Sequence, residues 1–210
     1  LYQAQLRRPI LEAISRPAEK RLNWSEYRDI FLTQSRILGG VNFWRQHAET
    51  LARAEKEYGV PPQIIVAILG VETRYGAHTG GYRVLDALHT LGFHYPRRGK
   101  FFREQLSQFL LFAREENIAA TLPTGSYAGA MGMPQFMPDS FRVYAVDFDG
   151  DGRRDIWHNP ADVIGSVANY FAKKGNWQPG GPVTWPVTGV TAAHEPLIAA
   201  GAKPSLDPAT

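Results

Sequence analysis

Apolar residues recur at every third or fourth position over much of the N-terminal part of the chain, which is the spacing of amphipathic helices. The clearest run has apolar residues at Ile37, Val41, Trp44, Ala48, Leu51, Ala54 and Tyr58. Gly59 follows directly, as a glycine that ends a helix would. The pattern predicts a helix over residues 37–58 with this stripe packed inward, and a helical N-terminal domain over residues 1–58.

A second pattern begins at Pro61 and Pro62, residues that suit the first turn of a helix. Residues 63–71 are apolar on every face, which is typical of a helix in the interior of a domain. Helical spacing recurs over residues 82–91, 101–117 and 160–174. The sequence therefore predicts a mainly helical second domain over residues 59–178.

The composition changes after residue 174. Residues 175–210 contain six of the 15 prolines and five of the 20 glycines, and they show no helical spacing. The alternation of Val183, Trp185 and Val187 predicts a short strand. We therefore predict a mainly α fold whose last segment, residues 179–210, is a Pro/Gly-rich β and loop element.

Composition narrows the function classes. The chain of 210 residues is 44% hydrophobic, enough to bury a core, and it has no cysteine, which excludes disulfides, zinc–thiolate sites and cysteine nucleophiles. Its net charge of +3 suits an anionic polymer such as cell wall or nucleic acid without requiring either, and no Lys/Arg tract indicates a DNA-binding arm. No apolar run is long enough to span a membrane. The chain starts at Leu1, which we interpret as a processed form.

Glu72 is the strongest catalytic candidate, because it ends the predicted interior helix beside a glycine-rich turn. Burial and the negative end of the helix dipole would both raise the pKa of its carboxyl group. A carboxylic acid that stays protonated near neutral pH can protonate the leaving oxygen of a glycosidic bond. The alternative is a structural glutamate that pairs with Arg74 at the helix end.

A glycine-rich stretch over residues 125–136 reads GSYAGAMGMPQF. Its glycines permit unusual backbone angles and close approach of a ligand. Hydroxyl, amide and aromatic groups from Ser126, Tyr127, Gln135 and Phe136 form a mixture that binds sugars. The alternative is a glycine-rich turn that leads into a packed helix.

An acidic loop matches the first half of an EF-hand calcium loop. Its first, third, fifth and sixth positions are Asp147, Asp149, Asp151 and Gly152. Arg153 would give its main-chain carbonyl at position seven, but position twelve is His158 where the pattern has glutamate. The closing ligand would then be Asp162 or Asp155. The alternative is a solvated acidic turn.

Taken together, these segments closely resemble the membrane-bound lytic murein transglycosylase B family. The motifs that carry the resemblance are GVETRYG (70–76), YRVLDALHTLGF (82–93), YPRR (95–98), GSYAGAMGMPQFMPDSF (125–141), YAVDFDGDG (144–152) and IGSVANYF (164–171). They occur in the family's order and cover nearly the whole chain up to about residue 187.

The resemblance implies a lysozyme-like helical core beside a helical N-terminal domain and a small β element. It implies non-hydrolytic cleavage of the β-1,4 bond between N-acetylmuramic acid and N-acetylglucosamine in peptidoglycan, leaving a 1,6-anhydro end. Glu72 would be the acid and then the base. The family continues into a C-terminal segment with the pattern YNxSxxYA, which this sequence lacks, so we predict that residues 179–210 are truncated.

The resemblance also implies the remaining site residues. Those implied to bind substrate are Ser126, Gln135, Tyr170, Arg97, Arg98, Met131, Phe136 and Tyr27. Those implied to hold a structural Ca²⁺, with Na⁺ as an alternative, are Asp147, Asp149, Asp151, Arg153 and Asp162. No organic cofactor is expected. The implied setting is the periplasm of a Gram-negative bacterium, with a lipid anchor to the outer membrane in the full-length form.

We expect a monomer that binds peptidoglycan glycan strands and other cell-wall enzymes, but no nucleic acid. Two other functions stay open. One is a muramidase-type hydrolase, which would need a second carboxylate such as Asp86, Glu104 or Asp139. The other is a peptidoglycan-binding scaffold without catalysis.

Overall fold

The computed structural model describes residues 2–15, 23–181, 183, 188, 189, 191–194 and 196. Their contacts divide the chain into two units, Leu1–Pro179 and Gly180–Thr210, which are described separately. In the second unit the described residues include a 3-10 turn at Ala192–His194. The strand predicted over residues 183–187 lies outside the described residues except for residue 183.

Helices make up most of the first unit. In chain order they are α1 (Arg8–Ile14), α2 (Trp24–Phe31), α3 (Gln34–Gln46), α4 (Ala48–Tyr58), α5 (Pro62–Thr73), α6 (Val84–His94), α7 (Gly99–Glu115), α8 (Pro138–Tyr144) and α9 (Pro160–Lys173). The predicted mainly α fold class is confirmed. The boundary predicted at residue 58 stays a prediction, since both predicted helical domains lie within the first unit. No helix among the described residues is long and apolar enough to cross a membrane.

The single helix predicted over residues 37–58 is wrong. The chain breaks at His47, which ends α3 and precedes α4 with φ −120° and ψ 24°. On α4 the predicted inward stripe holds in part: Leu51 and Ala54 are fully buried and Tyr58 is half-buried, but Ala48 is exposed. On α3 the predicted stripe is exposed, and Gly40 and Phe43 face inward instead. The side of α3 that carries Gly39 and Gly40 packs closely against α5, and this close packing decides which side of the helix faces inward.

Helix α5 is the interior helix that its sequence predicts. Ile65 and Leu69 are fully buried, and Pro62 starts the helix. Its last turn reaches the surface, where Val71 is exposed. The helix ends at Arg74, which has the left-handed conformation (φ 50°). The core that surrounds α5 brings Glu72 to the edge of the protein interior.

The remaining helices form the core around an aromatic cluster. Helix α7 packs against α6 and α8, and α9 packs against α4, α5 and α8. The largest fully buried side chains include Phe102, Phe109, Phe112 and Phe141. Helix α8 has only seven residues and begins at a proline, and it follows the glycine-rich stretch, where the sequence indicates a packed helix only as an alternative.

A small antiparallel sheet connects the segment after α5 to the glycine-rich stretch. Strand β1 (Tyr82–Arg83) pairs with strand β2 (Thr124–Gly125), with Tyr82 opposite Gly125. Gly80 approaches this pair so closely that a Cβ on it would lie 2.1 Å from the carbonyl oxygen of Gly125. The sheet therefore joins the start of the glycine-rich stretch to the segment between α5 and α6.

The N-terminal segment is joined to α6 through the buried carboxylate of Asp86. Arg7 Nε donates to it at 3.0 Å, Arg83 Nη2 at 2.7 Å and the main-chain N–H of Gln5 at 2.9 Å. Burial by itself would raise the pKa of Asp86, but the hydrogen bonds from Arg83, Gln5 and Arg7 outweigh it, and the pKa is lowered.

Candidate active site

Glu72 lies in the last turn of α5 and lines a cleft of about 330 Å³, the Glu72 cleft. Within the described part of the chain its carboxyl group has no hydrogen-bond or ion-pair partner. The alternative in which Arg74 pairs with it is therefore not supported. An unpaired carboxyl group that faces a cleft is available to a ligand.

The burial that the sequence predicts beside Glu72 is only partial, because the Glu72 side chain is exposed to solvent in the cleft. Enough protein nevertheless surrounds the carboxyl group that desolvation raises its pKa above the ordinary value of 4.5. The predicted direction of the pKa shift is therefore confirmed, with partial burial as its cause. A raised pKa keeps a larger share of the group protonated at neutral pH.

Hydrogen bonds of the Thr73 side chain hold the turn that follows Glu72. The hydroxyl of Thr73, which is 1% exposed, donates to the carbonyl oxygen of Met133 at 2.9 Å and accepts from the N–H of Gly76 at 3.1 Å. Arg74 and Tyr75 have φ values of 50° and 59°, which non-glycine residues rarely adopt. The surrounding contacts therefore impose the backbone conformation beside Glu72.

Helix α9 supplies one side of the Glu72 cleft through residues at helical spacing: Val167, Tyr170, Phe171 and Lys174, which caps the helix. The predicted residues Tyr170 and Phe136 both line the cleft, and their rings lie 5.3 Å apart. Their aromatic surface faces the same cavity as the carboxyl group of Glu72. The structure thus brings three predicted site residues together.

Gln135 is the fourth predicted site residue in the Glu72 cleft. Its backbone has a left-handed φ of 52°. Its side-chain amide donates to the carbonyl oxygens of Thr79 at 3.1 Å and Gly132 at 2.8 Å. Because both amide hydrogens are used, Oε1 is the atom that can accept a hydrogen bond from a ligand.

Two further charged residues line the cleft: Lys174, which sequence reasoning missed, and Asp139, which it named as a possible second carboxylate. Lys174 has its ammonium group 5.2 Å from the ring centroid of Tyr170 and 5.9 Å from that of Tyr144, and it has no carboxylate partner in the described residues. Asp139 accepts at Oδ1 from the N–H of Ser140 (2.6 Å). The spacing from Tyr170 on α9 could have identified Lys174. A cation therefore faces the cleft beside two carboxyl groups.

Two predicted substrate residues lie outside the Glu72 cleft. Ser126 is half-buried, and its hydroxyl accepts from the N–H groups of Ala128 at 3.3 Å and Ala130 at 3.1 Å, so that it organises its own loop. Met131 is fully buried in the core and pairs through its main chain with Phe136. The predicted contact of Met131 with the cleft is therefore indirect, through Phe136.

Three further predicted residues do not line the Glu72 cleft either. Arg97 and Arg98 are exposed in a 3-10 turn before α7. The guanidinium of Arg98 lies 4.3 Å from the ring centroid of Phe101, a residue that does line the cleft, so Arg98 is close to its rim. Tyr27 lies on α2 and packs edge-on against Phe31 at 5.1 Å.

The other candidate carboxylates differ in availability. Asp86 is committed to its two arginines and is buried away from the cleft. Glu104 is exposed on α7 and does not line the cleft. Asp139 is therefore the candidate second carboxylate that shares a cavity with Glu72.

Three aspartates of the acidic loop and α9 come together as a candidate metal centre. One carboxylate oxygen each from Asp147, Asp149 and Asp162 lies within 4.8 Å of the others. Asp162 is buried and accepts from the N–H groups of Phe148 (2.7 Å) and Asp155 (2.8 Å), and desolvation raises its pKa. Within the described residues no lysine or arginine pairs with these three groups. Three close carboxylates without a neutralising side chain suit a hard cation.

The structure groups only part of the predicted metal ligands. Asp151 is not among the three grouped carboxylates, and its Oδ1 accepts from the N–H of Arg153 at 2.8 Å. Asn159 was not predicted, yet its side-chain amide donates to Asp149 Oδ2 at 2.8 Å. Of the two candidate closing ligands, Asp162 joins the group and Asp155 does not.

Comparison with known proteins identifies the family. The family model described as the transglycosylase SLT domain matches residues 1–205. The chain belongs to this family. The predicted resemblance is confirmed at this level, and with it the lysozyme-like helical fold class.

Individual relatives of this transglycosylase domain agree. Over 160 residues, 76% of this chain, it is 52% identical to membrane-bound lytic murein transglycosylase B of Escherichia coli. The crystal structure of soluble lytic transglycosylase SltB1 from Pseudomonas aeruginosa matches 87% of this chain with a TM-score of 0.83 and 61% identity. The structure of Slt35 of E. coli in complex with calcium matches 98% of this chain, with a TM-score of 0.80 and 43% identity, and the match covers 68% of the Slt35 chain.

A further relative carries a ligand. SltB3 of P. aeruginosa in complex with NAG-NAM-pentapeptide matches 90% of this chain and 51% of SltB3, with a TM-score of 0.77 and 36% identity. The chain spans 44% of the length of the E. coli transglycosylase B and 61% of SltB1.

Proposed function

We propose that this transglycosylase domain cleaves the β-1,4 bond between N-acetylmuramic acid and N-acetylglucosamine in peptidoglycan without water. The observation that carries the proposal is the carboxyl group of Glu72, which faces the cleft without a partner in the described residues and has a raised pKa. These are the properties of a general acid for glycosidic cleavage.

In the proposed reaction Glu72 acts twice. Its protonated carboxyl group gives its proton to the glycosidic oxygen, and the bond from that oxygen to C1 of the muramyl sugar breaks. The carboxylate then takes the proton of the muramyl C6 hydroxyl while that oxygen bonds to C1. The product is a 1,6-anhydro ring, and Glu72 is protonated again. Because no water attacks, one carboxylate suffices.

Neighbouring groups would place the sugar. The rings of Tyr170 and Phe136 offer apolar surface, and Gln135 offers Oε1 to a sugar hydroxyl. The ammonium group of Lys174 suits a carboxylate of the substrate. The substrate roles of Ser126, Met131 and Tyr27 stay predictions. Arg97 and Arg98 remain candidates for peptide or sugar carboxylates at the rim of the cleft.

A hydrolase is the second candidate function, because Asp139 lines the same cleft as Glu72. In that reaction Asp139 would act as the nucleophile or as the base that activates water. Its Oδ1 is already engaged by Ser140, which favours a structural role at the start of α8. A non-catalytic peptidoglycan-binding protein is the third possibility.

We also propose a structural Ca²⁺ at the acidic loop, with Na⁺ as the alternative. The oxygen donors of Asp147, Asp149 and Asp162 fit such an ion, and the relative Slt35 is known in complex with calcium. Asp151 and the main-chain carbonyl of Arg153 complete the proposed EF-hand-like set. The ion would offset the repulsion among these carboxylates and tie the loop to α9.

The proposed setting is the periplasm of a Gram-negative bacterium, with an outer-membrane lipid anchor in the full-length protein. The relatives support it only coarsely: one is named membrane-bound and another soluble. A monomeric state, contact with other cell-wall enzymes and the lack of nucleic-acid binding belong to the same proposal.

Mass spectrometry of the products from purified peptidoglycan tests the proposed reaction, with Glu72→Gln in parallel. We expect anhydro-muropeptides from the wild type and none from the variant. Reducing ends would indicate the hydrolase instead. Binding without products, equal in both proteins, would indicate the scaffold.

A further inference from the structure

Tyr75, three residues after Glu72, places its phenol ring in a slot lined by glycines of α3 and α5. A Cβ on Gly40 would lie 2.6 Å from the phenol oxygen, and one on Gly70 would lie 2.5 Å from it. A Cβ on Gly39 would lie 2.9 Å from Cε2 of the ring. These distances are shorter than any van der Waals contact, so the slot exists because these positions have no side chain.

Polar and aromatic contacts hold the ring in the slot. The phenol oxygen of Tyr75 donates to the carbonyl oxygen of Arg36 at 2.9 Å, which joins it to the first turn of α3. Its ring stacks on Phe43 of α3, with centroids 5.6 Å apart and an interplanar angle of 27°. Its main-chain N–H donates to the carbonyl oxygen of Leu69 in α5 at 3.0 Å. One residue therefore bonds to both helices.

The same residue holds a strained backbone. Arg74 and Tyr75 are consecutive non-glycine residues with positive φ, and together they turn the chain out of α5 immediately after Glu72 and Thr73. Such conformations persist only where surrounding contacts impose them. The contacts of the Tyr75 ring with α3 can impose this backbone conformation.

We propose that Tyr75 is a positioning residue that fixes the carboxyl group of Glu72 by wedging the end of α5 against α3. The proposal rests on the proposed function of Glu72. Without the wedge, the left-handed turn can relax and the last turn of α5 can shift, and Glu72 moves with it. The residues of α9 that line the cleft are not part of the slot. Loss of the wedge therefore lowers kcat more than it raises KM.

The test is a double-mutant cycle between Gly40→Ala and Tyr75→Phe, measured as kcat, KM and the pH profile on a soluble peptidoglycan oligomer. In Gly40→Ala the new Cβ collides with the phenol oxygen, and we expect kcat to fall about 10- to 100-fold with little change in KM. Tyr75→Phe removes that oxygen and leaves Cζ as the nearest ring atom, 3.3 Å from the Cβ position. The double variant should therefore recover most of kcat.

Gly39→Ala is the matched control. Its Cβ would meet Cε2 at 2.9 Å and Cδ2 at 3.1 Å, and phenylalanine keeps both atoms. Tyr75→Phe should therefore rescue Gly40→Ala but not Gly39→Ala. Alanine favours a helix interior over glycine, so a loss of kcat in either variant cannot come from a weaker α3.

The pH profile distinguishes positioning from stability alone. We expect the pH at which kcat declines to shift in Gly40→Ala, because the desolvation of Glu72 changes, and to return in the double variant. A lower melting temperature in Gly40→Ala with unchanged kcat and pH profile would overturn the proposal, as would equal effects of Tyr75→Phe on both glycine variants. A wild type without turnover would overturn the proposed function as well.

Discussion

The hydroxyl of Thr73 donates to the carbonyl oxygen of Met133 at 2.9 Å, and this bond joins the helix that carries Glu72 to the loop that carries Gln135. Glu72 and Gln135 both line the cleft, and Thr73 is almost fully buried. This side-chain hydroxyl therefore contributes directly to the relative position of the proposed acid and the proposed sugar-binding amide.

Thr73→Val should lower both stability and activity. Valine keeps the shape of threonine but leaves the carbonyl of Met133 and the N–H of Gly76 without their partner, at a cost of about 1–3 kcal/mol. Chemical denaturation and kcat/KM would measure the two effects. Thr73→Ser, which keeps the hydroxyl, is the control and should stay close to the wild type. Equal losses in both variants would argue against the hydrogen bond as the cause.

Glu72→Gln should greatly lower turnover and remove the contribution of Glu72 to the pH dependence of stability. Loss of a general acid lowers kcat by about 10²- to 10⁴-fold. Because burial raises the pKa of Glu72 in the folded protein, the wild type loses stability relative to the variant as pH rises through that pKa. The two proteins should therefore be equally stable at acidic pH, with the variant more stable at neutral pH. Melting curves across pH would show the difference.

The same pKa governs the rate. The first step needs the protonated acid, so kcat should fall as pH rises through the raised pKa of Glu72. A decline centred at the ordinary glutamate value would contradict the assignment.

Asp139→Asn separates the two proposed reactions. Asparagine keeps an oxygen that can accept from Ser140 but cannot act as a nucleophile or base. Under the transglycosylase proposal kcat should change by less than about threefold, because the reaction needs one carboxylate. A loss of about 10²-fold or more would favour the hydrolase.

Lys174→Met should weaken binding of carboxylate-bearing substrate. Methionine keeps part of the apolar stem over Tyr170 and removes the charge. An exposed ion pair contributes about 0.2–1 kcal/mol, so KM should rise roughly 1.5- to 5-fold with kcat unchanged. Peptidoglycan whose carboxylates have been amidated is the matched control, and its KM should be the same for both proteins. A KM increase on both substrates would assign Lys174 a packing role.

Chelation should destabilise the acidic loop. An ion present at 100 times its Kd adds about 2.7 kcal/mol, which is about 5–10 °C in Tm for a domain of this size. We expect a chelator to lower the Tm of the wild type and of Asp29→Ala, an exposed aspartate of α2, but not that of Asp149→Ala. An unchanged wild-type Tm with chelator would contradict the proposed metal centre.

Motif and periodicity together predicted much of the site but only part of its surroundings. Glu72 and Tyr170, from predicted helices, share one cleft with Gln135 and Phe136, from the glycine-rich stretch. Lys174 was not predicted because it lies outside the motif that ends at residue 171, although it follows the predicted Tyr170 by one helical turn.

The error on α3 has a specific physical origin. Its larger apolar residues predict an inward face, but the pair Gly39 and Gly40 accepts the ring of Tyr75 and turns the helix the other way. A stripe of large apolar residues indicates which side chains can be buried, but it does not show where glycine allows two backbones to approach closely. The partner that fills such a gap is known only once the fold is known.

The bonds around Asp86 bear on where the chain can be shortened. Residues 3–7 have no regular secondary structure, yet Gln5 and Arg7 bond to Asp86, and the N–H of Arg7 donates to Thr90 at 3.0 Å. A recombinant chain beginning at residue 8 would leave the buried carboxylate of Asp86 with Arg83 as its one cationic partner among the described residues. Residues 3–7 therefore hold the N-terminal segment against α6, and shortened versions should begin upstream of residue 3.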